Sequence, residues 1–344
     1  MPTRPFDAVL MVSFGGPQGP GDIRPFLANV LRGRRIPPER LEEVVGHYEH
    51  FGGVSPLTAI TMRQADGLRQ RLAQAGLADV PVFVGMRNWH PLLPDTLKEM
   101  ADAGVRRAIG FVCAAQRSYS SCTQYKQNVL DARTEAVQDG RPDVDVTFVG
   151  DWHTHPGFVG TNARHVAAAL ATLPAEVRGR ARVVFTAHSI PASMTGAARY
   201  QLQLQQSAEA VASELGWANW TLVYQSRSGR PEDPWLGPDV CDYLREAHAK
   251  GLEAAVLCPI GFVCDHIEVL YDLDEEAAHV CRELGLPMAR AEAVNDDPAF
   301  LDLIGDLVLQ TWRRYEAGRP LPLTAPARPE RVEGPPPARG ARAR

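Results

Sequence analysis

Short apolar runs rich in β-branched residues alternate with longer helical stretches along most of this 344-residue chain, and no other feature restricts its fold as much. The runs fall at 8–14, 80–85, 108–112 and 144–149, and again at 182–187, 221–225, 254–259 and 287–291. They are nearly continuous in apolar residues, as strands covered on both faces must be. Between them the pattern predicts helices, among them 57–75, 118–138, 197–215 and 238–250. Strand, helix and strand in that order make right-handed crossover units, and those build parallel sheets. The expected fold is therefore α/β, with eight strands dividing four and four around residues 150–165. The two halves resemble each other in architecture only, since no fixed-period repeat accompanies them. The expected organisation is a first lobe over 1–160 and a second, carrying the metal-handling residues, over 161–300. A last amphipathic helix, 298–316, supplies a closing segment 301–318, and the Pro-, Ala-, Arg- and Gly-rich stretch 319–344 reads as a disordered tail.

A length of roughly 150 residues per domain agrees with two domains. The net charge of −5 leaves no basic excess to neutralise phosphates, which argues against a nucleic-acid partner. No run approaches the ~20 apolar residues of a membrane span, and 8–14 is too short for an export signal. A cytoplasmic monomer is expected, with loose association to a membrane surface left open. The six cysteines include no C-x-x-C pair, so free thiols are expected and a zinc site is not. The segment Gly15-Gly16-Pro17-Gln18-Gly19-Pro20 lacks the spacing of a dinucleotide fingerprint, and neither a Walker A motif nor a Gly-x-Ser-x-Gly elbow is present.

In open parallel sheets ligands bind beyond the carboxyl ends of the strands. Several segments that follow the predicted strands are unusual in composition: 86–91, which contains Arg87; 113–125, which ends at Tyr125; and 188–191, which begins with His188. A lone histidine is usually a satisfied loop residue, but the position of His188 at a strand end favours metal ligation or proton acceptance. Glu268, Asp272 and Glu276 are spaced by four and so share one helix face. A row of like charges is ordinarily a solvated acidic face. Here Ile267, Val269, Leu270 and Leu273 make the segment apolar otherwise, which favours carboxylates that handle a divalent ion or a proton. In 51–57, Ser55 is a candidate helix cap with Pro56 at the first helical position, and Gly52 and Gly53 permit close approach to a flat ligand. Arg32, Arg34 and Arg35 form a basic cluster suited to carboxylates, or else a solvated loop.

Taken in order, Val12-Ser13-Phe14-Gly15-Gly16-Pro17, His50 to Leu57, Thr186-Ala187-His188-Ser189-Ile190-Pro191 and Gly261 to Asp274 resemble the ferrochelatases, over residues 5 to about 316. The resemblance implies two similar Rossmann-like lobes of the chelatase type, with the final helix returning to pack near the first lobe. It implies insertion of Fe(II), as substrate, into a porphyrin bent on binding, with release of two protons in haem biosynthesis and no organic cofactor. His188 and Glu268 would face each other across the porphyrin as the catalytic pair. Together with Asp272 and Glu276 they would handle the metal, the last two forming a path for metal delivery or proton exit. Some family members hold an iron–sulfur cluster with cysteines near the C-terminus. Here the last cysteine is Cys281, so no cluster is expected. Where some Gram-positive members present a tyrosine to the iron, this chain has Phe14. The arginine cluster resembles the Gram-positive type that makes iron coproporphyrin III. Arg32, Arg34 and Arg87 are then expected on the four propionates, with Phe14, Ser55 and Tyr125 also on the substrate; protoporphyrin IX is the other candidate. Competing readings are a cobalt chelatase of corrinoid synthesis and a two-lobed carrier without chemistry.

Overall fold

A computed structural model describes residues 4–33, 37–228 and 232–318, so Arg34 and the stretch 319–344 lie outside the described residues. Two four-stranded parallel sheets form. In the first, β1 (Ala8–Ser13), β2 (Val82–Met86), β3 (Arg107–Val112) and β4 (Asp145–Phe148) lie in the order β2-β1-β3-β4. In the second, β5 (Arg182–His188), β6 (Trp220–Gln225), β7 (Ala255–Cys258) and β8 (Met288–Arg290) repeat that order as β6-β5-β7-β8. All six residues of β1 are buried, which is why its sequence carries no alternation. The edge strands β4 and β8 are shorter and largely half-buried.

In each sheet the chain leaves its first strand to one side and then crosses to the other. Crevices therefore open at the carboxyl ends of β1 and β3, and of β5 and β7, where such folds bind ligands. The predicted helices form with adjusted ends. The 118–138 segment is a π turn, Tyr119–Thr123, followed by an α-helix, Gln124–Gln138. The 238–250 segment begins at Val240, because the Asp239 carboxylate accepts the Cys241 N–H at 2.8 Å and caps the helix there.

Two local expectations change. Ser55 does occupy the N-cap position of the helix Pro56–Gln74, yet its side chain makes no capping bond. Its hydroxyl instead packs on Gly16, where an added Cβ would lie 2.8 Å from Oγ. Gly53 adopts φ +74°, and its close approach is to the backbone of Pro20, 2.7 Å from an added Cβ, rather than to a ligand surface.

The final helix, Pro298–Glu316, packs on the helix Pro56–Gln74 of the first lobe and equally on the helix Pro156–Thr172. A boundary at residue 160 falls inside that second helix, which also packs on β7 and β8. Phe300 is fully buried at the junction, its ring 5.7 Å from Trp152 and 6.5 Å from Phe158. One apolar core runs through both lobes as a result, and the surface pair Arg63–Asp296 (2.7 Å) adds a tie. Phe300→Ala should lower unfolding free energy by about 3–5 kcal/mol, because the cavity opens in the buried aromatic cluster with Trp152 and Phe158. Urea denaturation checks this, and a loss below about 1 kcal/mol would show that the junction collapses around the gap.

Candidate active site

His188 is the last residue of β5, beside the crevice shared with β7. Its Nδ1 lies in hydrogen-bond contact with the Ser189 carbonyl. A carbonyl only accepts, so Nδ1 carries the proton and the lone pair of the neutral ring resides on Nε2. The backbone at this point is held from two sides: the buried Tyr200 hydroxyl donates to the His188 carbonyl at 3.2 Å, and Ser189 N–H donates to the Gln225 carbonyl at 2.8 Å. Gly261 permits the loop after β7 to lie against β5, since an added Cβ would stand 2.6 Å from Ala187 Cβ.

Glu268 follows β7 and begins a helical segment of mixed winding: α over Ile267–Val269, π over Leu270–Ala277 and α again over Ala278–Leu284. Four residues overshoot an α turn by roughly 40°, and the wider π turn offsets that drift, which keeps Glu268, Asp272 and Glu276 near one line. Glu268 Oε2 lies 3.7 Å from His188 Nε2 and 3.8 Å from His266 Nε2. His266 caps this segment, its Nδ1 accepting the Val269 N–H at 3.4 Å, so the proton of its neutral ring is on Nε2, facing Glu268. Burial lowers the His266 pKa and favours that neutral form. The carboxylate thus sits between one donor, His266, and one acceptor, His188. Two acceptors facing each other across 3.7 Å define a place for a cation, either a proton or an incoming metal.

Asp272 accepts from the Ser226 hydroxyl and from Gln225 Nε2 (3.2 Å). Burial, with help from the charges of Glu268 and Glu276, pushes its carboxyl up to about 7, against the opposing pull of those hydrogen bonds. Ser226 holds a left-handed backbone, φ +59°, to present its hydroxyl there. Glu276 is exposed at the far end of the row. Burial raises its carboxyl most, Asp239 and Glu43 add to the rise, and Arg40 opposes it. Among the described residues, no three His, Cys, Asp or Glu side chains make a group that holds a metal ion. The four residues expected to handle the metal are therefore strung along the segment and across to β5 and do not form one cage.

The first lobe supplies the facing wall. Phe14 follows β1, with its ring 6.2 Å from Phe26. The half-buried Arg87 lies over Phe14 (5.7 Å) and over the buried Tyr125 (5.0 Å). The helix Pro38–His50 reaches across the cleft: His47 stacks on Tyr271 at 3.6 Å, and Ile267 packs among Phe26, Val45 and Tyr48. Burial raises the Tyr48 pKa, and the charge of Glu268 adds to it. Arg32 is exposed and donates to Asn29 Oδ1 at 2.7 Å, and Asn29 Nδ2 in turn donates to the carbonyl of Asn88, the neighbour of Arg87, at 3.1 Å. Sequence reasoning assigned no role to His266, Tyr48, Gln225, Ser226 or Tyr200. Two local signals were available, a histidine two residues before the acid that opens a helix and the place of Ser226 directly after a predicted strand; the others arrive only through folding.

Two Rossmann-like lobes whose second switch point carries a histidine beside a carboxylate row define a chelatase-type enzyme. A family model described as Ferrochelatase matches residues 6–312, and the chain belongs to that family. It is 47% identical over 305 residues to a ferrochelatase of Rhodopirellula baltica, covering 88% of this chain and 86% of the relative. It is also 47% identical to the coproporphyrin III ferrochelatase of Streptomyces coelicolor, covering 89% of this chain and 85% of the relative. Among solved structures, the sirohydrochlorin chelatase SirB of Bacillus subtilis subspecies spizizenii in complex with cobalt aligns with TM-score 0.54 at 8% identity, over 90% of this chain and 97% of that one, a likeness of fold alone. Family membership sets aside the corrinoid cobalt chelatase and the carrier.

A carboxyl whose pKa rises on folding binds its proton more tightly in the folded chain. Its contribution to stability is present at low pH and is lost as pH climbs from the ordinary carboxylate range, near 4, through about 7. Asp272→Asn, which keeps the shape and both acceptor contacts, should therefore raise Tm relative to the parent at pH 8 and much less at pH 5. Thermal melts of metal-free protein check this, and equal shifts at the two pH values would place the carboxyl in its ordinary range.

Proposed function

We propose that this enzyme inserts ferrous iron into coproporphyrin III in the cytoplasm, acting as a monomer, with His188 and Glu268 as the reacting pair. The observation that carries the assignment of the pair is His188 Nε2, its lone pair free of other duties, facing Glu268 Oε2 at 3.7 Å. Porphyrin and Fe(II) enter, both pyrrole N–H bonds break, metal–nitrogen bonds form and two protons leave. His188 Nε2 accepts a pyrrole proton. Glu268 takes it on, and Asp272 and Glu276 continue the line toward the surface.

The separation also changes how the porphyrin sits. A flat macrocycle in van der Waals contact on both faces needs roughly 7 Å between flanking atoms. His188 and Glu268 stand too close to embrace it from opposite sides and therefore meet the same face. The Phe14 wall of the first lobe is the counterpart on the other face, and Phe14 offers no metal ligand there.

Relatives such as that of S. coelicolor carry the name coproporphyrin III ferrochelatase, which supports that substrate, and the position of the Arg87 guanidinium over Phe14 and Tyr125 supports a role for it on a propionate. Arg32 at the rim is a second candidate. In this reading no organic cofactor and no iron–sulfur cluster takes part. Burial is the chief cause pushing the thiols of Cys113, Cys258, Cys264 and Cys281 up, which disfavours the thiolate form that ligates iron. No helix among the described residues is long and apolar enough to cross a membrane.

His188→Ala and Glu268→Gln should each lose at least about 100-fold in kcat with porphyrin affinity nearly unchanged, because the lost interactions belong to the reaction step. Glu276→Gln should act more mildly, mainly on the Fe(II) dependence. Fluorescence quenching for affinity and anaerobic absorbance for turnover supply both readouts, and near-parental turnover of His188→Ala would remove the histidine from the mechanism. In the same assay kcat/KM should favour coproporphyrin III; a preference for protoporphyrin IX would reverse the substrate assignment.

A further inference from the structure

Glu268 must keep its distance from His188 although its side chain is 46% exposed and its own hydrogen bonds do not anchor it. An anchor lies behind it. Arg290, the last residue of β8, donates from Nη1 to Asp265 Oδ1 at 2.9 Å and from Nε to Asp274 Oδ1 at 2.6 Å. Those two carboxylates stand on either side of the stretch that carries His266, Glu268 and Asp272. Asp265 is held again by Asn295: its N–H donates to Asn295 Oδ1 at 2.8 Å, and its Oδ2 accepts from Asn295 Nδ2 at 2.9 Å. Asn295 takes a left-handed φ of +45° to do so, and its carbonyl accepts from Gln64 Nε2, a fully buried residue of the first lobe, at 2.6 Å. The Arg290 and Asp265 side chains are only 16% and 13% exposed.

We propose that Arg290 is a positioning residue for the metal insertion step: by tying Asp265 and Asp274 to β8 it holds the π-wound segment so that Glu268 stays opposite His188 Nε2. A guanidinium is suited to this because its planar fork meets two carboxylates in fixed directions, which the single point charge of a lysine does not. The tie also joins the lobes, since the same Asn295 that grips Asp265 is gripped by Gln64. The inference rests on the reading of Glu268 as a reacting group.

Removing Arg290 alone leaves the buried Asp265 carboxylate and the half-buried Asp274 carboxylate without their partner and risks unfolding, so the test uses charge-balanced variants. In the first, Arg290→Met is combined with Asp265→Asn and Asp274→Asn, which removes the fork and both charges while Asn at 265 can still meet Asn295. In the second, Arg290→Lys keeps the charge and loses the fork. Thermal melts, porphyrin affinity by fluorescence, and kcat with KM for porphyrin and Fe(II) are measured for both, with Glu268→Gln as reference. The expected result is a melting temperature and porphyrin KM close to the parent's, with kcat lower by about 100-fold in the triple variant and about tenfold in Arg290→Lys, the scale of a misplaced reacting group. A purely structural role would move the melting temperature and leave kcat alone. Parental kcat in Arg290→Lys, whatever the triple variant does, overturns the proposal. Parental kcat in Glu268→Gln overturns the reading of Glu268 instead.

Discussion

Parallel strands cannot be joined by a tight turn, so every pairing in this molecule requires a crossover, and the sides on which the crossovers fall determine where a ligand can enter. In both lobes the chain places its second strand on one side of the first and its third on the other. The two divergent crossovers leave a gap at the carboxyl ends of β1 and β3 and of β5 and β7. His188 ends one of the two strands that border the second gap, Glu268 lies in the helical segment that follows the other, and Phe14 directly follows a strand that borders the first. The final helix, packed on both lobes through Phe300 and its neighbours, holds the two gaps as walls of one cleft.

The electrostatics of the cleft depend on that frame. Like charges in a row are unfavourable, and the protein moderates the cost differently at each station. Glu268 has the Nε2 of neutral His266 3.8 Å away, Asp272 accepts from Ser226 and Gln225, and the charge of Arg40 draws the Glu276 carboxyl down against its partial burial. What is left unmatched is the facing pair of acceptors, His188 Nε2 and Glu268 Oε2. The row therefore runs from two facing acceptors, through a carboxyl pushed up to about 7, to an exposed end. Under the proposed function, such a gradient serves protons leaving or a hydrated ion arriving.

Much of this was legible in the order of residues. The eight strands, their four-and-four division and the long helices follow from runs of apolar residues, because a strand covered on both faces admits little else. His188 and the Glu268, Asp272 and Glu276 row stood out because strand ends and four-residue spacing are local properties, and the motifs around them were enough to indicate the family. The π winding was hidden, since it differs from an α-helix by one residue per turn and leaves no distinct pattern. Ser55 occupied the N-cap position that was read for it, but its hydroxyl turned to Gly16, 39 residues earlier in the chain, a competition that no local rule contains.

The sequence by itself therefore determined the parallel α/β architecture, the pair of four-stranded sheets and the family, because periodicity, strand ends and motif spacing are written in near neighbours along the chain. Only the tertiary structure decided that His188 Nε2 and Glu268 Oε2 stand 3.7 Å apart, that His266 and Ser226 lie against the carboxylates, and that Arg290 ties Asp265 and Asp274 to β8. Each of those facts is a distance between groups that different strands and helices bring together, and no periodicity along the chain encodes it.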